Sequence, residues 1–338
     1  MKLLLVWLLF VAAPAVEQQI PIGIVDFYGL GRVSEADLRR ALTIKEGDTI
    51  SVASGRPAAL GESEKRLLTV PGVVRAQVSL VCCDEGRGIV YVGIEEKGRP
   101  ALRFLPAPSG SVRLPADIVK AGAALEKAFM AAVERGDSAE DDSQGHAFYH
   151  DPASRAIQEQ FVFFAARDQS RLRRVLHESS DGDHRALAAE VLAYAANKDD
   201  IINDLVTAMR DPYSDVRNNA MRALGILARV PVTVRLTRKI PYDGFIALLG
   251  SLVWTDRNKA SLALSGLTAE RPSVLLEQIW REALRPLVDM ARWKSLGHAT
   301  PALEILMRIA ALPDDSVAKA TTPAAREEII QAALGRRQ

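Results

Sequence analysis

The chain has 338 residues, with 43 Lys and Arg against 42 Asp and Glu, so its formal net charge is +1. Hydrophobic residues make up 48% and charged residues 25%, which is typical of globular proteins and excludes a wholly disordered or collagen-like chain. The balanced charge provides no chain-wide basic field, so we expect no nucleic-acid partner. At about 150 residues per domain, the length predicts two domains.

The N-terminal segment has the pattern of a secretory signal peptide. One positive charge at Lys2 precedes an unbroken apolar run over residues 3–13, and small residues flank Pro14. As a helix this run covers about 16 Å, whereas a bilayer core is about 30 Å thick. We therefore expect a signal peptide over residues 1–15, cleaved near Ala15, and a periplasmic or secreted protein. A retained anchor, and with it association with an envelope membrane, stays the alternative.

Residues 20–98 are predicted to form a small α+β domain with the order β-α-α-β-β. Strands are indicated by β-branched, aromatic and alternating apolar residues, and helices by N-cap and stop signals. The predicted elements are a strand over residues 20–28, helices over residues 35–42 and within 56–68, and strands over residues 73–82 and 89–94.

This order, with these residues, resembles the POTRA (polypeptide-transport-associated) domain. The resemblance is carried by VSEADL at residues 33–38, LTIKEGD at 42–48, LLTVPGV at 67–73 and the closing hairpin with IEE at 94–96. It covers about a quarter of the chain and implies a chaperone-like or docking module at a bacterial envelope. The sequence has no pattern for the membrane part that usually accompanies POTRA domains, so we expect the module and not a translocation pore.

The strand over residues 73–82 supplies candidate partner-binding residues. Alternation puts Arg75, Gln77 and Ser79 on the face opposite the small core. Edge strands have unpaired backbone groups, which can pair with an extended partner segment. We therefore expect a partner strand to be captured along residues 73–81.

The two cysteines, Cys82 and Cys83, are neighbours at the end of this strand. Neighbouring side chains in a strand diverge, so a disulfide between them is expected to be geometrically poor. We expect Cys82 to face the core and Cys83 to be an exposed, reactive thiol.

Residues 99–150 are predicted to be a linker that contains one amphipathic helix and an acidic loop. His146 and His150 follow the acidic stretch and could share a metal if they lay on a helix. Because Gly and Pro flank them and no fourth strong ligand follows, we expect no metal and no cofactor. A metal-dependent enzyme with a site around His146 and His150 stays the alternative function.

A sequence repeat runs through residues 151–335. An arginine followed by Ala and Leu three and seven residues later occurs at Arg185, Arg217 and Arg257, with a weaker echo of the Ala and Leu at Ala302. A unit of this kind pairs two helices that cannot bury their apolar face alone, so stacked neighbours must supply a continuous core.

The motif DPxxDVRxxAxxALG at residues 211–225 resembles a HEAT repeat. The resemblance implies an all-α solenoid of about four units that serves as a scaffold or adaptor. The recurring Asp and Arg, including Arg217 and Arg257, are expected to tie adjacent repeats together and not to bind a ligand. A basic insertion at residues 230–241 adds Arg235, Arg238 and Lys239 as candidate partner-binding residues, because insertions in repeat arrays often lie on the binding face.

The sequence as a whole predicts a multi-domain protein, a small POTRA-like α+β unit followed by an all-α HEAT-like solenoid. No P-loop, nucleophile elbow or HExxH motif occurs. We therefore expect a non-enzymatic, exported scaffold that binds protein partners through the solenoid and a sheet edge, with no small-molecule substrate.

Overall fold

A computed structural model describes residues 18–52, 55–99, 101–229, 236 and 239–336. Its first part is a mixed sheet with two helices on one face, and the remainder is mostly helical. The elements of the first part are β1 (Gln18–Tyr28), α1 (Glu35–Ala41), β2 (Thr49–Val52), α2 (Ala58–Leu67), β3 (Val73–Asp84) and β4 (Arg87–Glu96).

The sheet has the strand order β2-β1-β4-β3, with β1 and β4 parallel and the other pairs antiparallel. The predicted order β-α-α-β-β is wrong because it omits β2. This strand lies between α1 and α2 in the chain and pairs with the start of β1. Only four residues long, β2 follows a Glu-Gly-Asp break, so its short alternation of Ile50 and Val52 was missed. β3 lies at the edge of the sheet, as strand capture requires.

The two faces of the sheet belong to two different cores. Val78, Val90 and Val92 face α1 and α2 and form the core of the small unit. Tyr28 and Tyr91 point to the opposite face and join the core of the helical part. Both faces of the central strands are therefore buried, and the sheet is one layer of a continuous structure.

The hairpin between β3 and β4 overturns the expectation for the cysteines. The ladder shifts register between Val81 and Asp84, so β3 carries one extra residue there and strict alternation fails. Cys82 and Cys83 are both exposed and are joined by a disulfide. The structure therefore contradicts the prediction of a buried Cys82 and a reactive thiol at Cys83.

Aromatic rings fill the contact between the sheet and the helices. Tyr91 stacks on Trp254 with ring centroids 5.2 Å apart and is hydrogen-bonded to His298 Nδ1 at 2.8 Å. The Tyr28 hydroxyl donates to the Leu252 carbonyl at 2.7 Å. Gly93 allows this approach, because a Cβ there would lie 2.4 Å from the same carbonyl.

The segment predicted as a linker packs along the helical part. Residues 101–115 run as an extended strap, with the Leu105 amide donating to the Arg210 carbonyl and the Gly110 amide to Glu178. After the strap come α3 (Ala116–Glu134), which lies in the segment where the sequence predicts an amphipathic helix, and a short hairpin of β5 (Glu140–Asp141) and β6 (Phe148–Tyr149). The acidic loop is thus partly a strand.

Paired helices fill the rest of the described chain. First helices are α4 (Pro152–Glu178), α6 (Ile202–Ala208), α8 (Asp243–Leu248) and α10 (Ser273–Ala291); second helices are α5 (Gly182–Leu192), α7 (Ser214–Leu227), α9 (Trp254–Leu267) and α11 (Leu296–Ile309); α12 (Ser316–Lys319) and α13 (Pro323–Leu334) follow. The repeated sequence motifs all fall on second helices, which pack in order. Within the described residues, none of the helices has the length and hydropathy needed to cross a membrane.

Candidate functional site

A large cleft lies on the face formed by the second helices. It has a volume of about 960 Å³ and runs between α3 on one side and α5, α7 and α9 on the other. We call it the groove and define it by the side chains that line it from each element. These include Glu126 and Phe129 of α3, Glu140 and Tyr149 of the hairpin, Leu187 and Glu190 of α5, Asn219 and Arg222 of α7, Arg229 just beyond α7, and Lys259 and Leu262 of α9.

Two rows of equivalent repeat positions form the floor of the groove. The residues two positions after the repeat arginines are Leu187, Asn219 and Lys259. The residues five positions after the same arginines are Glu190, Arg222 and Leu262. Equivalent positions of stacked repeats project side by side, so the floor changes from acidic at α5 to basic at α7 and α9.

The hairpin holds the central arginine of the groove. Arg222 Nη2 lies 2.6 Å from Glu140 Oε1, and Nη1 donates to the Tyr149 hydroxyl at 3.1 Å. Tyr149 in turn stacks on Phe129 of α3, with centroids 4.2 Å apart. Burial acts to lower the pKa of Arg222, but Tyr149 and Glu140 outweigh it and raise the pKa above its ordinary value. Arg222 is therefore a fixed, permanently charged wall of the groove.

Lys259 has no such partner. Its side chain is partly buried, and among the described residues its ammonium makes neither a hydrogen bond nor an ion pair. Burial above all, together with Arg222 and Arg229 and against the effect of Glu140, lowers its pKa to about 8. Glu140, the carboxylate that acts on Lys259, is already engaged, because it pairs with Arg222.

At the opposite end of the groove, Glu190 is also partly buried and without an ion-pair partner among the described residues. Burial raises its pKa, Arg222 lowers it in part, and Glu126 raises it again. The two ends of the groove thus present an acidic and a basic side chain that form no ion pair within the described residues.

The repeat arginines behave differently. Arg185 makes a bidentate pair with Asp211 at 2.8 Å, and Arg217 a bidentate pair with Asp256 of the next repeat at 2.8–3.1 Å. Arg217 and Asp256 are 1% and 0% exposed. The Arg217 guanidinium also lies over the ring of Phe104 in the strap. We call Arg185, Arg217 and Arg257 the arginine ladder; the prediction that such residues tie repeats together is confirmed for Arg217.

The free edge of β3 is occupied at Val78. The Val78 amide donates to Glu64 Oε1 at 2.8 Å, and the Val78 carbonyl accepts from Arg56 Nη2 at 2.9 Å. Arg56 and Glu64 are themselves an ion pair at 2.5 Å. Side chains that satisfy edge backbone groups protect a sheet from strand addition, so an added strand would first have to displace this pair.

The other predicted partner-binding residues are the three on β3 and the three of the basic insertion. Arg75, Gln77 and Ser79 pair with Glu95, Gly93 and Tyr91 of β4. They lie on the sheet face that turns towards the helical repeats, away from α1 and α2. Arg75 pairs with Glu95 at 3.2 Å. Lys239 is exposed, and Arg235 and Arg238 lie outside the described residues.

His146 and His150 do not converge. His146 is buried and accepts a hydrogen bond from Lys198 Nζ at 3.0 Å, whereas His150 is exposed. Burial, which is the larger cause, and Lys198 together lower the pKa of His146 to about 4. Across the described ranges, no three His, Cys, Asp or Glu side chains are grouped as a metal site requires.

The sequence reasoning missed the groove residues Lys259, Glu190 and Arg222. The repeat register was the signal that could have found them, because counting from the repeat arginines gives the rows of the floor. What the register could not show is that α3 and the hairpin close the groove and that the hairpin engages Arg222.

Comparison with known proteins supports the repeat architecture. A family model of HEAT repeats matches residues 170–240, from the second half of α4 through α7. No curated protein matches the chain. The prediction of a HEAT-like helical solenoid is therefore confirmed for this region. HEAT repeats generally mediate protein–protein interaction, which is consistent with a scaffold role.

Proposed function

We propose that this protein is a non-enzymatic scaffold that binds a protein partner in the groove. The observation that carries the proposal is the groove itself, which crosses three HEAT-like repeats and has, at its two ends, an acidic and a basic side chain that form no ion pair in the described chain. Desolvated charged groups cost free energy unless they are paired, so a bound partner that pairs them gains affinity and specificity. The match to HEAT repeats supports the same role.

A photo-crosslinking experiment tests this proposal. A benzophenone amino acid is placed at Asn218, which lines the groove, and in a second variant at Val274, which is 73% exposed on α10 and does not line it. Both proteins are irradiated in cells of the native host, and crosslinked products are identified by mass spectrometry. We expect a defined protein adduct from position 218 only. The absence of an adduct from position 218, or the same adducts from both positions, would refute binding in the groove.

We also propose that the protein is exported to the periplasm or secreted. The proposal is supported by the composition of residues 1–15 and by the POTRA resemblance of the N-terminal unit. Mass spectrometry of the N-terminal peptide from the native protein tests it. We expect a mature terminus close to residue 16 and recovery from the extracytoplasmic fraction; an intact Met1 or Lys2 terminus in the cytoplasmic fraction would contradict export.

A further inference from the structure

The polarity of the groove follows the order of its helices. At the α5 end, Glu190 faces Glu126 of α3, and at the α9 end Lys259 lies near Arg229. Arg222 stands between them and is held by Glu140 and Tyr149. A ligand of a single charge sign would therefore be attracted at one end and repelled at the other. This argues against a polyanion such as nucleic acid and favours a ligand that carries both signs.

The repeat spacing gives the separation of the two charges on such a ligand. Packed helices lie about 8–10 Å apart, so α5 and α9, with α7 between them, are separated by about 16–20 Å. An extended polypeptide advances about 3.3 Å per residue. A distance of about 18 Å divided by about 3.3 Å per residue corresponds to five or six residues of extended chain between Glu190 and Lys259.

We infer that the groove binds an extended peptide segment of the partner in one direction, with an acidic side chain on Lys259 and a basic side chain on Glu190, five or six residues apart. This inference rests on the proposed function and specifies its partner. Asn218 and Asn219 line the groove on α7, between the two charged ends. Asn218 Nδ2 donates to Asn219 Oδ1 and Asn219 Nδ2 donates to the Ala186 carbonyl, so the Asn218 carboxamide oxygen is the acceptor that this pair can offer to a peptide N–H.

Peptide selection on the mature protein tests the inference. A random 12-residue display library is selected in parallel on the native protein and on Lys259→Met, Glu190→Gln and Lys65→Met. Lys65 is an exposed residue of α2 and serves as the matched control. We expect the native protein and the control to enrich peptides with an acidic and a basic residue five or six positions apart. Lys259→Met should lose the acidic preference alone, and Glu190→Gln the basic preference alone.

Charge reversal gives the second arm. A peptide enriched on the native protein should bind Lys259→Glu about tenfold more weakly or worse, the size of a lost charged hydrogen bond. Replacing its acidic residue by Lys should restore binding to that variant. An unchanged consensus on Lys259→Met, enrichment of uncharged peptides or failure of the reversal would overturn the inference.

The two proposals can fail separately. If Asn218 captures a partner but the selections yield no charge pattern, the bipolar segment is refuted and binding in the groove stands. If the library yields no binder and position 218 captures nothing, both are refuted.

Discussion

The arginine ladder and the groove lie on the same second helices, yet they treat charge in opposite ways. Arg217 is fully buried and has every guanidinium nitrogen hydrogen-bonded to Asp256 or to loop carbonyls. Lys259, two residues beyond the next ladder position on α9, is partly buried and has no partner in the described chain. On the second helices, the charged residues at the ladder positions are thus paired within the fold, whereas Lys259, two positions further along, has no ion-pair partner in the described chain.

The difference is useful because burial alone does not distinguish the two uses. A buried ion pair offsets its desolvation only when its geometry is complete, as it is for Arg217. A desolvated ion without a partner lowers stability, and it persists where an external group supplies the missing interaction. Completeness of pairing therefore separates Arg217 from Lys259 and identifies the groove as a surface to test for ligands.

The largest predicted effect is on the ladder. Arg217→Met should lower the free energy of unfolding by about 3–5 kcal/mol, because the Asp256 carboxylate is left buried and unpaired. Chemical denaturation followed by circular dichroism measures it. Arg210→Met, at an exposed arginine, is the control and should change stability by less than about 0.5 kcal/mol. A loss below about 1 kcal/mol for Arg217→Met would show that the ladder does not carry repeat stability.

The second prediction concerns the hairpin that closes the groove. The pKa of His146 is lowered to about 4 by burial and by Lys198, against an ordinary value near 6.5. Between these values the unfolded chain takes up a proton that the folded chain does not, so stability falls as the pH falls from 6.5 to 4. At pH 5 the free energy of unfolding should be lower by about 2 kcal/mol because of this proton uptake.

Denaturation at pH 7 and pH 5 checks this prediction with two variants. His146→Gln should lose about 2 kcal/mol less than the native protein over this interval. His150→Gln, at the exposed histidine, should behave as the native protein does. Equal pH dependence of all three proteins would mean that His146 is protonated in the folded state and does not hold the hairpin.

Local features of the fold could be predicted from the sequence, and features that join distant segments could not. The repeat motifs predicted α5, α7 and α9, because helix periodicity and turn residues act within a few positions. The partner of Arg217 lies 39 residues ahead, and the ring that covers its guanidinium comes from the strap. Such pairings depend on how repeats stack, which no single motif contains.

The errors have the same physical origin. The cysteines were placed by strict alternation, which one extra residue in β3 removes. The expectation of an open β3 edge does not include Arg56 and Glu64, because the sequence does not show that these side chains reach Val78. In each case a local rule held until a bulge or a distant side chain changed the outcome.

The third prediction sharpens the contrast on α9 itself. The pKa of Lys259 is lowered to about 8, mainly by burial, so the unfolded chain binds the proton more tightly and stability rises as the pH rises from 8 towards 10. Lys259→Met should therefore stabilise the free protein at pH 7 by about 1–2 kcal/mol, allowing for solvent screening, and should remove this pH dependence. Thermal unfolding at pH 7, 8.5 and 10 measures both effects, with Lys65→Met as the control. If Lys259→Met instead lowers the stability, Lys259 stabilises the fold, as Arg217 does.

The smallest predicted effect is at the β3 edge, which belongs with the ladder because its polar groups have partners. Replacing both Arg56 and Glu64 by Ala removes the exposed ion pair and frees the Val78 amide and carbonyl. Stability should fall by only about 1 kcal/mol, since water can replace these bonds. The freed edge should instead show concentration-dependent self-association in sedimentation velocity, because unpaired edge groups pair with another strand. Lys65→Ala on the same helix should stay monodisperse under the same conditions. If the double variant also stays monodisperse, the Arg56–Glu64 pair is not what keeps the edge closed, and the edge and the groove would no longer differ in the way that pairing predicts.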